Sequence, residues 1–296
     1  MVEDNDLLLL IQKKMPELSK GQKRIAKFLI ENYGEAVYLT AAKLGSITGV
    51  SESTVVRFAI ELGFDGYPKL QKALEEVVKN KLTASERMKV AYQQMINNNN
   101  NVLKMVLHRD AERIEATLND LNSEDFDNAV DYILQAKNVY IIGGRSSAAL
   151  SYFFGFYLNL MRANVKDVSK GTVTETFEDI FRVNENDLVI GISFPRYSSR
   201  TVKSLEFAHN KGAKTIAITD SKKSPLVDNA DVALVARSDM VSFVDSLVAP
   251  LSLINAILVA VSLNRKDHII ENLDILENLW SEYQVYSSST PKKYFK

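Results

Sequence analysis

From residue 139 onward the chain alternates. Five short strand-like runs, at 139–142, 165–168, 188–192, 215–218 and 232–235, mostly apolar apart from the Val-Lys-Asp-Val of the second, are separated in most cases by stretches of helical periodicity. Apolar runs of this length, without polar residues at every second position, describe strands covered on both faces. Strands joined through helices run parallel, because a parallel neighbour is reached only by a crossover. The pattern therefore predicts one domain over 123–285, with a five-stranded parallel sheet covered by helices on both faces. A helix at about 124–135 leads into the first strand. A long apolar helix near 241–263 and a more polar one near 269–283 follow the last, and 286–296 read as a flexible tail.

The segment at 241–263 is the most apolar in the chain, yet Asp245, Pro250 and Asn255 interrupt it. It is short for a membrane span, so a buried helix is expected and no membrane partner. Such a helix can fill the core of its own domain or build an isologous interface between copies. The second possibility motivates an expected homodimer or homotetramer.

The first 77 residues have a different texture and predict an all-α domain. Ile11, Met15 and Leu18 begin an apolar pattern that Ile25, Phe28, Leu29 and Tyr33 continue at helical spacing. Ser19 with Gln22 forms a capping box, and Gly34 reads as a stop. Residues 39–63, LTAAKLGSITGVSESTVVRFAIELG, then read as two short helices around a turn. Thr40 caps the first, Gly49 supplies a positive φ, and Ser51 caps a second running to about Leu62. Leu44, Val50, Val55 and Phe58 supply the apolar lock, which leaves Glu52, Ser53, Thr54 and Arg57 on the outer face of the second helix. Short polar groups and a guanidinium at that position suit base edges and phosphates in a major groove. Gly45 stands where such motifs usually carry alanine and weakens the first helix locally. Lys20, Lys23, Arg24 and Lys27 are candidate phosphate contacts or a solvated helix face. Residues 78–122 read as a polar helical linker, with an asparagine run at 97–101 and a helix over about 102–118.

Charge gives no support to nucleic-acid binding by itself. The chain carries 36 Lys and Arg against 37 Asp and Glu, a net charge of −1, and the first 77 residues are about neutral. There is no cysteine, which excludes disulfides, thiolate metal ligands and a cysteine nucleophile. An acidic start at residues 1–6 argues against a signal peptide, and a cytoplasmic protein is expected.

Two strand ends carry candidate binding chemistry. The first is VYIIGGRSS at 139–147, where a buried strand runs into Gly143, Gly144, Arg145, Ser146 and Ser147 before a helix. The second is GISFPRYSSRT at 191–201, where Ser193, Arg196, Tyr197, Ser198 and Ser199 crowd before another helix. Helix N-termini bind anions, glycines let a ligand approach the backbone, and arginine contacts phosphate in bidentate fashion. A third strand ends on the same rim at Thr219, Asp220 and Ser221. Neither loop has the spacing of a dinucleotide fingerprint or a P-loop, so no cofactor is expected.

The segments LSKGQKRIAKFLI at 18–30 and VSESTVVRFAIELGFDGYPKLQKAL at 50–74 resemble the N-terminal domain of the RpiR family of bacterial regulators. The resemblance implies that Ser51, Ser53, Thr54 and Arg57 lie in a recognition helix, with Tyr67 and Lys69 following close to the DNA backbone. Core packing is the competing reading for Tyr67 and the preferred one for Phe64. Residues 123–265 resemble a sugar isomerase (SIS) domain through VYIIGGRSS, DLVIGISFPRYSSRTV and GAKTIAITDSKKSPLVDNADVAL. That resemblance implies that Ser146, Ser147, Ser193 and Ser198 hold the phosphate of a sugar phosphate. The second loop departs from the common Ser-Gly-x-Thr, carrying Phe194-Pro195-Arg196-Tyr197-Ser198 instead.

Chemistry needs a base, and His108, His209 and His268 all fall in predicted helices away from the strand ends. Glu175 and Glu178 could approach the site but read as helix-surface carboxylates, and no cluster has metal-ligand spacing. The expectation is a non-enzymatic, DNA-binding repressor of sugar or amino-sugar metabolism genes. Its partners would be a double-stranded operator and a sugar-phosphate effector. A SIS-type sugar-phosphate isomerase, or a sugar-phosphate-binding protein without a DNA role, is the alternative.

Overall fold

A computed structural model describes residues 7–81, 83, 85, 86, 88, 92, 101–238 and 244–286. Asparagines 97–100, residues 241–243 of the apolar segment and the tail from 287 lie outside them. The chain divides into two compact units. One holds the described residues of 1–108 and 239–246, the other those of 109–238 and 247–296.

The first unit is helical: α1 (Leu7–Lys14), α2 (Lys20–Ala36), α3 (Ala41–Thr48), α4 (Glu52–Glu61) and α5 (Tyr67–Lys81). The Ser19–Gln22 capping box starts α2 as its sequence demands. Gly34 does not end it. The helix continues to Ala36 across non-helical backbone at Asn32, because Ala36 and Val37 are drawn into the core. Ile11, Ile25, Leu29, Leu44, Phe58, Leu70 and Leu74 are fully buried together, one core shared by all five helices.

α6 (Val102–Asp120) runs from the first unit into the second. The second unit continues with α7 (Ser123–Gln135), β1 (Val139–Gly143), α8 (Ser147–Met161), β2 (Val165–Asp167) and α9 (Val173–Ile180). Then come β3 (Leu188–Ile192), α10 (Ser199–Asn210), β4 (Lys214–Thr219), β5 (Val232–Val235), α11 (Val248–Asn264) and α12 (Lys266–Glu282). The five strands form one all-parallel sheet in the order β2-β1-β3-β4-β5, with Ile141 opposite Ile190 and Ile190 opposite Ile216. Both faces are covered. Ile141, Ile190, Ile216 and Ile218 pack with α7, α8 and α11 on one side. Ile142, Val189 and Ala217 pack with Leu205 and Ala208 of α10 on the other. Alternation between the two cores is the period-2 rule acting on an uninterrupted apolar run.

The apolar segment expected at 241–263 is helical from Val248. It buries Leu253, Ile254, Ile257, Leu258 and Val261 in its own domain, which favours the core reading. Among the described residues no single helix is long and apolar enough to cross a membrane; α11 and α12 are bent by 100° at their junction.

Candidate functional site

The turn between α3 and α4 is set by a left-handed glycine, an arginine that closes it and a close backbone approach. Thr40 caps α3 by accepting the Lys43 N–H. Gly49 ends it at φ 64°, a left-handed conformation suited to glycine. Arg24 reaches from α2 to donate to the Gly49 carbonyl at 2.8 Å, so one member of the expected basic set closes the turn. Gly45, expected to be a weak point, is a steric requirement. A Cβ there would lie 2.8 Å from the Val50 carbonyl oxygen and 3.3 Å from the Glu52 nitrogen. α3 meets the start of α4 backbone to backbone, and alanine would not fit.

That close approach presents the start of α4. Ser51 caps it by accepting the Thr54 N–H, and its Oγ lies 2.9 Å from both Ser53 Oγ and Thr54 Oγ1. Arg57 folds back one turn, its Nε donating to the Ser53 carbonyl at 3.3 Å. Ser51, Glu52, Ser53 and Arg57 are exposed and Thr54 is half-buried, so the structure brings these five together on one helix end. Lys69 is exposed on α5. Tyr67, expected beside the DNA backbone, is 4 % exposed. Its hydroxyl donates to the Leu39 carbonyl at 2.7 Å, where Gln71 also donates, and burial pushes its pKa up to about 12. Its place is in the core of the first unit, where its hydroxyl reaches the chain just before α3.

In the second unit the sheet order sets the site. The chain leaves β1 through α8 on one face and leaves β3 through α10 on the other, so β1 and β3 flank a topological switch point. Crevices open there at the carboxyl ends of the strands. Gly143 cannot carry a side chain: a Cβ would lie 2.5 Å from the Ser147 carbonyl oxygen. A Cβ on Gly144 would lie 2.7 Å from Ser198 Oγ, so the two loops touch. Ser193 is buried and accepts the Ser198 N–H at 3.0 Å, and Ser198 in turn caps α10 by accepting the Thr201 N–H. Ser146 is exposed at the start of α8 and Ser147 buried, while Ser199 is exposed on the first turn of α10. Arg145 and Arg196 are exposed, one in each loop, and both hold positive φ, 56° and 63°. A left-handed arginine costs about 1–2 kcal/mol, and such strain clusters at ligand clamps.

Tyr197 donates its hydroxyl to Asp220 Oδ1 at 2.9 Å, which joins the second loop to the end of β4. Beneath it Thr219 donates to Ser224 at 2.8 Å. Two further residues at these loops are not singled out by the sequence pattern. The Arg200 guanidinium donates to the carbonyls of Gly143, Ser169 and Gly171, tying the loops after β1 and β2 to α10. The Thr201 hydroxyl is fully buried without a hydrogen-bond partner, 3.7 Å from where a Gly144 Cβ would stand. The signal for Thr201 was present in the capping position: an N-cap serine brings the third residue of the helix back over the cap.

At this crevice two helix N-termini converge, lined by hydroxyls and flanked by guanidiniums, an arrangement whose chemistry suits an anion. Glu175 instead caps α9. Hydrogen bonds from the Thr172 backbone N–H and from its side chain hold the Glu175 carboxyl below the usual range. The histidines lie on α6, α10 and α12, all exposed. Among the described residues no group of His, Cys, Asp and Glu could hold a metal ion.

Residues 5–81 match the helix-turn-helix domain of the rpiR family, and residues 132–260 match the SIS domain. The chain belongs to the rpiR family of transcriptional regulators. Within it, the HTH-type transcriptional regulator HexR of Pseudomonas aeruginosa is 26% identical over 278 residues, covering 88% of this regulator and 90% of that protein. Among solved structures, the sugar isomerase domain of an RpiR transcription factor from Sphaerobacter thermophilus is 29% identical. Its TM-score is 0.58, over 60% of this regulator and 99% of that chain. The Vibrio vulnificus NanR protein, complexed with ManNAc-6P, shares the fold at 17% identity and a TM-score of 0.57, over 93% of this regulator and 99% of that chain. Relatives matching across most of the chain carry regulator names rather than enzyme names.

Proposed function

We propose that this regulator is a cytoplasmic repressor of sugar or amino-sugar metabolism genes, released or engaged by a phosphorylated sugar. The effector's phosphate would sit between the Gly144 and Ser198 loops, on the N-termini of α8 and α10, with Ser146, Ser147, Ser193 and Ser198 as its hydroxyl donors. Arg145 and Arg196 would neutralise it from the rim. The exposed polar start of α4, with Ser51, Glu52, Ser53, Thr54 and Arg57, would enter the major groove, and Lys69 would contact the backbone. The chain would act as a homo-oligomer on paired half-sites, the ligand shifting their relative affinity through linkage.

The single observation behind this reading is the contact of Gly144 with Ser198 at the switch point, in a chain that also carries an rpiR helix-turn-helix. NanR's complex with ManNAc-6P, a sugar phosphate, lends support from a protein of the same fold. The test is a thermal-shift screen of aldose, ketose and amino-sugar phosphates, followed by operator binding with and without the hit. Stabilisation by one compound that also changes DNA affinity supports the proposal. Turnover of that compound would replace it with the isomerase reading.

A further inference from the structure

The end of β4 holds hydrogen bonds on both of its sides. On one side the Tyr197 hydroxyl donates to Asp220 Oδ1 at 2.9 Å, which fastens the second crevice loop to the strand end. On the other side the chain beyond β5 keeps the sheet register for one more residue. The Ala236 N–H donates to the Thr219 carbonyl at 2.8 Å, and Thr219 Oγ1 reaches Asp220 Oδ1 at 3.4 Å. Thr219, Asp220 and Ala236 are all buried, so these bonds are shielded from water. Arg237, the next residue, grips α6 twice. Its backbone N–H donates to Thr117 Oγ1 at 2.9 Å, and its guanidinium donates through Nε and Nη2 to Asp120 Oδ2. Thr117 and Asp120 are three residues apart, neighbours on one face of a helix. Thr117 donates in turn to the Arg113 carbonyl at 2.8 Å, and the Arg113 guanidinium pairs with Asp110 at 2.9 Å. Every one of these residues belongs to the second unit.

The run is unbroken from the crevice rim to α6, whose first turns, 102–108, are part of the first unit. Its crevice end is placed to feel an anion. Tyr197 stands between Arg196, held at φ 63°, and Ser198, the cap of α10. A loop that closes on an anion through either neighbour moves the phenol between them. The Asp220 carboxylate must then follow or lose a charge-assisted hydrogen bond. A shift at the end of β4 passes through the Thr219–Ala236 bond to Arg237, the covalent neighbour of Ala236. There it alters a bidentate grip that has two discrete arrangements, made and broken, as a switching element requires.

We propose that the Arg237–Asp120 pair is the contact through which occupancy of the crevice is passed to α6. Arg237 and Asp120 are positioning residues that act through Asp220 and Tyr197. The proposal rests on the crevice taking an anion, and it names the route by which that anion reaches the helix leading to the first unit.

Hydrogen exchange of the full-length chain, read by mass spectrometry on peptides covering 191–201 and 232–238, tests the route from both ends. Asp120 and Arg237 are partly exposed, so substituting them leaves the core in place. Without any ligand, Asp120→Asn should speed exchange at 191–201 by about fivefold, the low end of ordinary coupling between sites. Tyr197→Phe should do the same at 232–238. Asp120→Glu should restore the slow rate, and the peptide covering β2 should keep its rate in every variant, which separates a relay from general loosening. Variants that each disturb only their own end would overturn the proposal. Inorganic phosphate then serves as the anion probe. In the wild type it should slow exchange at 191–201 and change the rate at 232–238; in Asp120→Asn the first response should remain and the second vanish. Phosphate that protects 191–201 and leaves 232–238 unmoved in the wild type would overturn the relay alone. Phosphate that protects neither loop of the crevice would overturn the anion reading, and with it the regulatory role of the pair.

Discussion

Gly144 and Ser198 are 54 residues apart in the chain but in contact in space: a Cβ on the glycine would lie 2.7 Å from the serine hydroxyl oxygen and 2.9 Å from its Cβ. One residue ends the first strand's loop and the other starts α10, so their contact closes the crevice floor where two helix N-termini converge.

Gly144→Ala is expected to separate the loops. Forcing a methyl into this contact should destabilise the second unit by about 1–3 kcal/mol. Wild type should gain about 2.7 kcal/mol from an effector held at 100 times its dissociation constant, and the variant should lose most of that gain. Calorimetric melting with and without the effector checks both effects. Adding Ser198→Gly should recover the stability and not the ligand response, since the space returns but the hydroxyl does not.

Arg200→Lys should weaken effector binding by tenfold or more with little change in helix content. The guanidinium serves three carbonyls in two loops, whereas an ammonium is a point donor that cannot span them. Isothermal titration of the effector is the measurement.

Arg57→Ala should lower operator affinity by about 1–3 kcal/mol and relax specificity at one base-pair position. Fluorescence anisotropy on promoter variants distinguishes this from a phosphate contact, which would weaken all sequences alike. Arg57 is exposed, so the melting temperature should not move.

Gly45→Ala should destabilise the first unit, against its helix propensity. Alanine gains about 1 kcal/mol over glycine in a helix interior. Here its methyl would meet the Val50 carbonyl at 2.8 Å, backbone that cannot yield without moving α4. A net loss of about 1–3 kcal/mol is expected from such overpacking, read by urea unfolding.

Tyr67 predicts an alkaline limit to the stability of the same unit. Its pKa rises from 10.0 to about 12 because burial disfavours the phenolate. The unfolded chain would lose this proton near pH 10 while the folded chain keeps it, so stability falls as pH rises from about 10 to 12 and is intact below that window. The loss is on the order of 2 kcal/mol at the top of the window. Tyr67→Phe should cost roughly 0.5–1.5 kcal/mol near neutrality, from the missing bond to Leu39, and should flatten the alkaline slope. Denaturant melts of both proteins across pH 9–12 check the difference.

The parallel sheet, the caps of α2, α3 and α4, and the left-handed Gly49 were legible in the sequence, because each depends on residues a few positions apart. Strand burial is written in uninterrupted apolar runs, capping in a hydroxyl three residues before its amide. The inward turn of Tyr67, the need for Gly45 and the reach of Arg24 to Gly49 and of Arg200 to Gly143 were not legible, since each joins segments 25 or more residues apart or depends on how closely two helices approach. Gly34 shows the same limit in reverse: a local stop signal was overridden because Ala36 and Val37 are drawn into the core. By itself, then, the sequence determined which segments become strands and helices and which residue types cluster at the strand ends, through short-range sterics and apolar periodicity. Only the tertiary structure decided that Gly144 and Ser198 meet, that Arg200 fastens two loops, and that Tyr67 turns into the core, because those outcomes depend on long-range packing, which local periodicity does not encode.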